Sequence, residues 1–147
     1  MTKNSILFVI AMFNLTIASA QVKLEKIKGS KIVTVTTKEV ESFENVEIEE
    51  FLDVYFVKSE KTSIEIEADD NLHDIISYNV LGNTLKLTAL KQPTGEKKLA
   101  IRVNYNDSLK TIVARHESKI NALADISLEN ITIKNFDKSQ SFLNVRS

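Results

Sequence analysis

Residues 43–87 read FENVEIEEFLDVYFVKSEKTSIEIEADDNLHDIISYNVLGNTLKL, and apolar residues alternate with charged or polar ones through most of this segment. Around residue 65, for example, Ile64 and Ile66 alternate with glutamates. Successive side chains of a β-strand point to opposite faces, so each alternating run predicts a strand with one buried and one solvated face. The segment therefore predicts an all-β fold.

The same pattern continues on both sides of this segment. Residues 32–37 (IVTVTT) are β-branched throughout and residues 99–105 alternate most regularly, so both predict strands. Gly82–Asn83 predicts a tight hairpin turn, because both residues tolerate positive φ, and Gln92–Gly95 predicts another turn.

One helical signal interrupts the strands at residues 70–77. Leu72, Ile75 and Ile76 have the i, i+3, i+4 spacing of a helix face, and Asp69 precedes them as an N-cap candidate. We expect one short helix of about two turns that lies across the end of the sheet.

From residue 106 onward the apolar residues come in short, separate groups. They are Leu109, Ile112, Ala114, Ile120, Leu123, Ile126, Leu128, Ile131, Ile133, Leu143 and Val145. Leu109 and Ile131 are 22 residues apart, about the length of one coil of a β-solenoid. We expect β-sandwich-like N-terminal strands that run into a short parallel β-solenoid. A further meander in a sandwich is the alternative that the spacing leaves open.

The composition excludes several classes of function. A net charge of −1 with Lys and Glu interspersed gives no basic stripe of the kind that binds nucleic acid. The chain has no cysteine, which removes disulfides, thiol nucleophiles and cysteine metal ligands. At 147 residues the chain has room for one domain.

The first twenty residues have the features of a signal peptide. Lys3 supplies a positive start, residues 6–17 are mainly apolar, and Ala18–Ala20 offers an A-x-A cleavage site. The apolar run is shorter than the roughly 20 residues that a transmembrane helix needs. We expect a signal peptide at 1–20, a polar leader at 21–30 and a single domain at 31–147. The protein would be exported to the periplasm, the cell surface or the medium, with no membrane span after cleavage.

Residues 43–87 resemble the opening half of a known family, the putative auto-transporter adhesin, head GIN domain family. In that pattern a phenylalanine precedes a strand, DVYF follows, and EADDNL leads to a short helix and a G-N-T-L-K turn. The matching positions are Phe43, Asp53, Val54, Glu67, Ala68, Asp69, Asn71, Leu72, Gly82, Asn83, Leu85 and Lys86. The later segment LKTIVARHESKINA (109–122) is similar to the first solenoid coil of the family.

The resemblance implies an exported or envelope-held bacterial domain that ends in a right-handed β-solenoid, and it brings no catalytic residues. Family members usually have Ser-Gly turns within a coil, whereas this chain has Arg115–Ser118 and Asn135–Ser139 there. Arg and Glu adopt left-handed backbone poorly, so we expect wider turns. Members also usually continue for further coils. The resemblance therefore implies either a shortened member or a last coil whose exposed strand edge a partner covers.

Neither group of candidate metal ligands has a complete pattern. The densest acidic cluster consists of Asp69, Asp70, Asn71 and Asp74. It lacks the glycine and the twelfth-position glutamate of a Ca²⁺-binding loop, so helix capping is its expected role. His73 is expected at the surface and His116 in a turn, without the spacing of a zinc site. No metal and no cofactor is predicted.

No catalytic residues can be assigned either. The glutamates on the outer faces of adjacent strands are Glu47, Glu49, Glu65 and Glu67. A solvated sheet face explains them without a glycosidase-like pair of carboxylates. The tyrosines that could line a carbohydrate groove are Tyr55, Tyr78 and Tyr105. Because the chain has no tryptophan, packing in or beside the core is their expected role.

The favoured hypothesis is a non-catalytic, exported β domain of the cell envelope that serves as a binding, adhesion or structural module. Its partner would be an envelope glycan or protein, and the binding residues are not identified by the sequence. One alternative is a polysaccharide-acting enzyme, which would need Arg115, Lys119 and Lys134 to converge on one solenoid face. The other is self-assembly through the C-terminal edge strand.

Overall fold

The computed structural model describes residues 23–122 and 131–143. The predicted signal peptide at 1–20 lies outside these ranges, as do Leu123, Ile126, Leu128 and Val145. Within the described residues the chain forms thirteen strands and one short helix, which confirms the all-β class. In the same ranges no helix is long and apolar enough to cross a lipid bilayer.

Five strands precede the helix, four follow it, and four short strands close the described chain. The first five are β1 (Lys26–Lys28), β2 (Val33–Glu39), β3 (Asn45–Ile48), β4 (Asp53–Lys58) and β5 (Ser63–Asp69). After the helix (Asp70–Ile75) come β6 (Ile76–Leu81), β7 (Thr84–Ala89), β8 (Gln92–Thr94) and β9 (Leu99–Tyr105). The last four are β10 (Thr111–Ala114), β11 (Lys119–Ala122), β12 (Thr132–Asn135) and β13 (Gln140–Phe142).

Two sheets enclose one hydrophobic core. The five-stranded sheet has the order β12-β10-β3-β7-β6, and the six-stranded sheet has the order β13-β11-β4-β9-β5-β2. Inward-facing residues from both sheets form the core, including the fully buried Ile48, Val54, Ile101 and Ile112. β1 and β8 form a separate two-stranded parallel ribbon.

At one end of both sheets the strands stack in parallel. β3, β10 and β12 are neighbours in one sheet, and β4, β11 and β13 are neighbours in the other. Thr111 of β10 pairs with Thr132 of β12, and Lys119 of β11 pairs with Gln140 of β13. The successive strands β10 and β11 are therefore repeated by β12 and β13 at a spacing of 21 residues. This stack agrees with the spacing of the apolar groups in the sequence. The right-handed solenoid itself stays a prediction.

The antiparallel strands lie mainly in the part of the chain between β4 and β10. β5 pairs antiparallel with both β9 and β2, and β6 pairs antiparallel with β7. β7 and β9 in turn pair parallel with β3 and β4. As a result, β3 and β4 lie inside their sheets, with the parallel stack on one side and the antiparallel strands on the other.

The predicted alternation appears in the central strands. In β4, Val54 and Phe56 are buried while Tyr55 between them is directed to the outer face. The hairpin at Gly82–Asn83 is also present, since Leu81 pairs with Thr84 and Gly82 has a φ of 60°.

Two local predictions were incorrect in detail. The short helix is present, but it is a 3₁₀ helix that ends at Ile75, because Ile76 already belongs to β6. Helices this short are commonly 3₁₀. Residues 92–94 form β8 instead of the start of a turn, because β1 offers them a parallel partner.

Candidate functional site

The outer face of the six-stranded sheet carries polar side chains from four adjacent strands. Asn121 of β11 pairs with Tyr55 of β4, Tyr55 pairs with Arg102 of β9, and Arg102 pairs with Glu65 of β5. Strand alternation directs all four side chains to the same face, since the intervening residues are buried. Glu67 extends this group two residues further along β5. Tyr55, Glu65, Glu67, Arg102 and Asn121 are called the sheet platform below.

A shallow depression lies in the sheet platform. Its volume is about 210 Å³, and it is lined by Tyr55, Glu65, Glu67, Lys98, Ala100 and Arg102. Ala100 is the smallest of these residues and leaves room between the larger polar side chains. The depression is therefore bordered by the charged residues Glu65, Glu67, Lys98 and Arg102 and by the Tyr55 ring.

Charges of both signs surround Tyr55. Arg102 Nη1 lies 3.7 Å from Glu65 Oε1, and Asn121 Nδ2 donates a hydrogen bond to Asp53 Oδ1. The negative charge of Asp53, helped by partial burial and a hydrogen bond to the same carboxylate, raises the pKa of the Tyr55 phenol. The phenol O–H is donated to the Asp53 carboxylate, so the phenol oxygen is left to accept a hydrogen bond from a ligand. The sheet platform offers a polar ligand both donors and acceptors around one aromatic ring.

A second polar cluster lies where the chain crosses from the five-stranded sheet to the six-stranded sheet in a tight turn, between β3 and β4, β10 and β11, and β12 and β13. The turns are Glu49–Leu52, Arg115–Ser118 and Phe136–Ser139, and together they are called the turn column. Their two central residues all have left-handed backbone, with φ of 60° and 63°, 51° and 61°, and 52° and 63° respectively. The predicted wider turns were wrong.

Backbone hydrogen bonds explain why these turns stay tight without glycine. Ser118 N donates to Arg115 O at 3.2 Å within the second turn, and Ser139 N donates to Phe136 O at 3.0 Å within the third. Phe51 N donates to His116 O at 3.0 Å between successive turns. The stack therefore fixes a left-handed backbone that Glu and Lys seldom adopt on their own.

Side chains of the turn column interact from one turn to the next. His116 Nδ1 lies 3.0 Å from Glu50 Oε1, and His116 Nε2 lies 3.4 Å from Asp137 Oδ2. Arg115 Nη1 lies 3.7 Å from Glu49 Oε1, and its guanidinium lies over the Phe136 ring, 5.4 Å from the centroid. Glu49, Glu50 and His116 place one possible metal-ligand atom each within 4.8 Å of one another.

The acidic cluster at 69–74 has a structural role that differs from the predicted one. The Asp69 side chain makes no cap hydrogen bond to the helix. It accepts hydrogen bonds from the backbone amides of Lys31, Lys97 and Lys98 at 2.9–3.1 Å. Asn71 Nδ2 donates to Lys28 O at 2.8 Å. These contacts hold the chain before β2 against the end of β5 and the helix, and they occupy both carboxylate oxygens of Asp69.

His73 is half-buried and is held by the edge strand β2 rather than lying free at the surface. Its Nε2 lies 2.9 Å from Thr34 Oγ1, and its Nδ1 lies 3.1 Å from Thr36 Oγ1. Both ring nitrogens are thus used within the protein.

The remaining candidates do not converge on one site. Tyr105 is buried and packs against Phe56 with ring centroids 6.2 Å apart, and Tyr78 is half-buried against the core, so only Tyr55 lines a depression. Arg115 lies in the turn column, Lys119 in the six-stranded sheet and Lys134 in the five-stranded sheet. The basic residues that the enzyme hypothesis needs are therefore on different surfaces.

Sequence reasoning missed Arg102, Lys98 and Asn121. The alternation in β9 identifies Arg102 as outward-facing, but no local pattern shows that β9 lies between β4 and β5. The register between distant strands is what brings these side chains to Tyr55.

Comparison with known proteins gives one family and several similar structures. The model of the family described as "Putative auto-transporter adhesin, head GIN domain" matches residues 42–146. No protein with curated function matches the chain.

The similar solved structures include two putative adhesins and a putative lipid binding protein. A putative adhesin from Bacteroides fragilis has a TM-score of 0.68 at 22% identity, over 82% of this chain and 56% of that one. A putative lipid binding protein from Parabacteroides distasonis has a TM-score of 0.65 at 15% identity, over 76% and 49%. A putative adhesin from Parabacteroides merdae has a TM-score of 0.63 at 18% identity, over 76% and 47%. The matched region spans about half of the length of these proteins, and at such identities the similarity shows the fold alone.

Proposed function

The chain belongs to the family described as putative auto-transporter adhesin, head GIN domain, and from that membership we propose that it is a non-catalytic module that binds a cell-envelope glycan on the sheet platform. The observation that carries this proposal is the row formed by Asn121, Tyr55, Arg102 and Glu65 across four adjacent strands.

The chemistry of the sheet platform suits a glycan. Sugar hydroxyls donate and accept hydrogen bonds. Arg102 offers donors and the neighbouring Glu65 carboxylate offers acceptors. Tyr55 adds a phenol oxygen that can accept a hydrogen bond, and an aromatic ring. A protein partner would favour a desolvated apolar anchor pocket, whereas the depression of about 210 Å³ is open to solvent and bordered by four charged side chains.

The second part of the proposal concerns location. We propose that the chain is exported, that residues 1–20 are removed, and that Gln21 begins the mature protein. The A-x-A sequence at 18–20 and the adhesin family support this. Mass spectrometry of the protein recovered from the periplasmic and surface fractions tests it, since a mature mass that still includes residues 1–20 contradicts cleavage.

The experiment for the binding function compares two ion-paired positions on opposite sheets. Arg102 pairs with Glu65 at 3.7 Å, and Lys86 pairs with Glu47 at 3.8 Å on the outer face of the five-stranded sheet. A panel of bacterial envelope glycans is screened for binding to the wild type, to Arg102→Ala and to Lys86→Ala. We expect at least one glycan whose affinity falls about tenfold or more in Arg102→Ala, since a lost charged hydrogen bond costs roughly 1.5–3 kcal/mol.

The control decides where binding occurs. Lys86→Ala should bind the same glycan as the wild type does, because it removes a similar ion pair on the other face. Equal losses in both variants, or no glycan bound at about 1 mM, contradict the proposal. Release of new reducing ends from the bound glycan by the wild type would favour the enzyme hypothesis instead.

A further inference from the structure

The two histidines differ in what surrounds their ring nitrogens. His73 has threonine hydroxyls beside both nitrogens, which can act as donors or acceptors. His116 has a carboxylate beside each nitrogen, Glu50 at Nδ1 and Asp137 at Nε2. A neutral imidazole carries one N–H, so it can donate to only one of these two carboxylates. In this neutral form the other nitrogen has its lone pair directed at a negative charge, and either a second proton or a metal ion at that nitrogen removes the conflict.

The side that a cation would occupy is set by the number of carboxylates. Atoms of Glu49, Glu50 and His116 lie within 4.8 Å of one another, and the Glu50 carboxylate lies beside Nδ1. On the Nε2 side, Asp137 is the one carboxylate within 4 Å of the ring among the described residues. An imidazole that binds a metal usually donates its other N–H to a carboxylate, which fixes the tautomer and the ring orientation. Asp137 is in the position for that role.

We propose that Glu49, Glu50 and His116 Nδ1 bind a divalent transition-metal ion of the Zn²⁺ type, with Asp137 accepting the hydrogen bond from His116 Nε2–H. One imidazole and two carboxylates are ligands that suit Zn²⁺, whereas Ca²⁺ needs six to eight oxygens. Zinc–ligand distances are about 2.0–2.2 Å, so the three ligand atoms must approach one another by roughly 1 Å. The side chains are partly exposed, with 46% of the His116 side chain accessible, and can rotate to do so.

Glu49 also contacts Arg115, and this contact affects the proposal. Arg115 Nη1 lies 3.7 Å from Glu49 Oε1, so binding of the ion by Glu49 replaces this exposed ion pair. An exposed pair contributes little to stability, about 0–1 kcal/mol. Arg115 keeps its contact with the Phe136 ring. The ion pair therefore weakens the site without preventing it.

The bound ion would connect parts of the chain that are far apart in sequence. Glu49 and Glu50 lie in the turn between β3 and β4, and His116 lies in the turn between β10 and β11. These turns are stacked, because β10 and β11 lie beside β3 and β4. An ion that binds only the folded protein would therefore stabilise the stack by mass action.

The test uses the full chain without a histidine tag and measures Zn²⁺ binding by calorimetry and the melting temperature with and without Zn²⁺. We expect a Kd below about 100 µM and a higher melting temperature in Zn²⁺, with no comparable rise in Ca²⁺. His116→Asn keeps a residue that accepts positive φ and should abolish both effects. Glu50→Gln keeps the side-chain length and should also abolish them. Asp137→Asn should lower the affinity about tenfold or more.

His73→Asn is the matched control, because it removes the other histidine and should bind Zn²⁺ as the wild type does. The proposal is overturned if the wild type does not bind Zn²⁺, if folded His116→Asn or Glu50→Gln binds it normally, or if His73→Asn loses binding. A Ca²⁺ effect as large as that of Zn²⁺ also overturns it.

Discussion

The carboxylate of Asp69 accepts a hydrogen bond from the backbone N–H of Lys31, with 2.9 Å between Oδ2 and N, although the residues are 38 positions apart. The same carboxylate accepts from the amides of Lys97 and Lys98. Asp69 is fully buried at the point where three segments meet: the start of β2, the end of β5 and the chain leading into β9. One side chain thus joins the ends of three adjacent strands of the six-stranded sheet by hydrogen bonds.

Acid should weaken the fold through Asp69. Burial alone raises the pKa of this carboxyl, but hydrogen bonds from the amides of Lys98, Lys31 and Lys97 outweigh it and hold the pKa below its usual range. A depressed pKa adds stability above the unfolded-state value of about 3.9, and this stability is lost as the pH falls toward the folded-state value. Urea unfolding of the wild type should therefore show falling stability below about pH 4.

Asp69→Asn separates this contribution from the other carboxylates. An asparagine offers one acceptor oxygen and directs an NH₂ group at an amide donor, so the variant should be clearly less stable at pH 7. The gap to the wild type should narrow as the pH falls below about 4. Asp74→Asn, at an exposed position of the helix, should leave the pH 7 stability unchanged. If the difference in stability between the wild type and Asp69→Asn stays constant across this pH range, Asp69 is not the source of the acid sensitivity.

Gly29→Ala should destabilise the protein through close contact rather than backbone conformation. A Cβ at this position would lie 2.2 Å from Asp69 Oδ2 and 2.8 Å from Glu96 Cα. We expect a loss of about 1–3 kcal/mol in the free energy of unfolding, the usual cost of overpacking. Gly82→Ala is the comparison, since its Cβ would meet nothing within 4 Å and only its φ of 60° is unfavourable. It should cost about 1 kcal/mol, and a larger loss there than at Gly29 would refute the contact argument.

Glu117→Gly should stabilise the protein. Glu117 has a φ of 61° in the turn column, where a Cβ atom costs about 1–2 kcal/mol and glycine, which has none, avoids this cost. Its backbone N–H donates to Asp137 O at 3.0 Å, and glycine keeps that bond. We expect a gain of about 1 kcal/mol in denaturant unfolding, reduced by the greater freedom of glycine in the unfolded chain. Lys119→Gly, in β11, should instead lower the free energy of unfolding.

The Tyr55 phenol should titrate above the ordinary tyrosine value of about 10, because a phenolate would be repelled by Asp53. The absorbance of phenolate, measured as the difference between wild type and Tyr55→Phe, follows this group alone. Asp53→Asn should lower the midpoint, and Asp137→Asn in the turn column should not. If Asp53→Asn leaves the midpoint unchanged, Asp53 is not the cause of the shift.

The strands and their faces could be predicted because their determinants are local. The alternation of Val54, Tyr55 and Phe56 requires only that neighbouring side chains point to opposite faces. The hairpin at Gly82 requires only a residue that tolerates positive φ. Such features do not depend on which strands become neighbours.

The sites could not be predicted because they depend on register between distant strands. Tyr55 meets Arg102 only because β4 and β9 pair with that alignment, and His116 meets Glu50 only because two turns stack. Tertiary hydrogen bonds also reverse local preferences. Asp69 has the sequence position of a helix cap but bonds to Lys31, Lys97 and Lys98, and Glu117 adopts a backbone that its residue type disfavours.

β3 and β4 have a position in the sheets that bears on how the molecule folds. Each has a parallel neighbour on both sides, one from the stack and one from the antiparallel half. We expect that neither the parallel stack nor the antiparallel half folds as an autonomous unit, because each half needs β3 and β4 as pairing partners. β4 must also wait for β9 and β11 to be synthesised before it is enclosed. The two halves should therefore lose their structure in a single cooperative step, and folding should be slow because its decisive pairings are non-local.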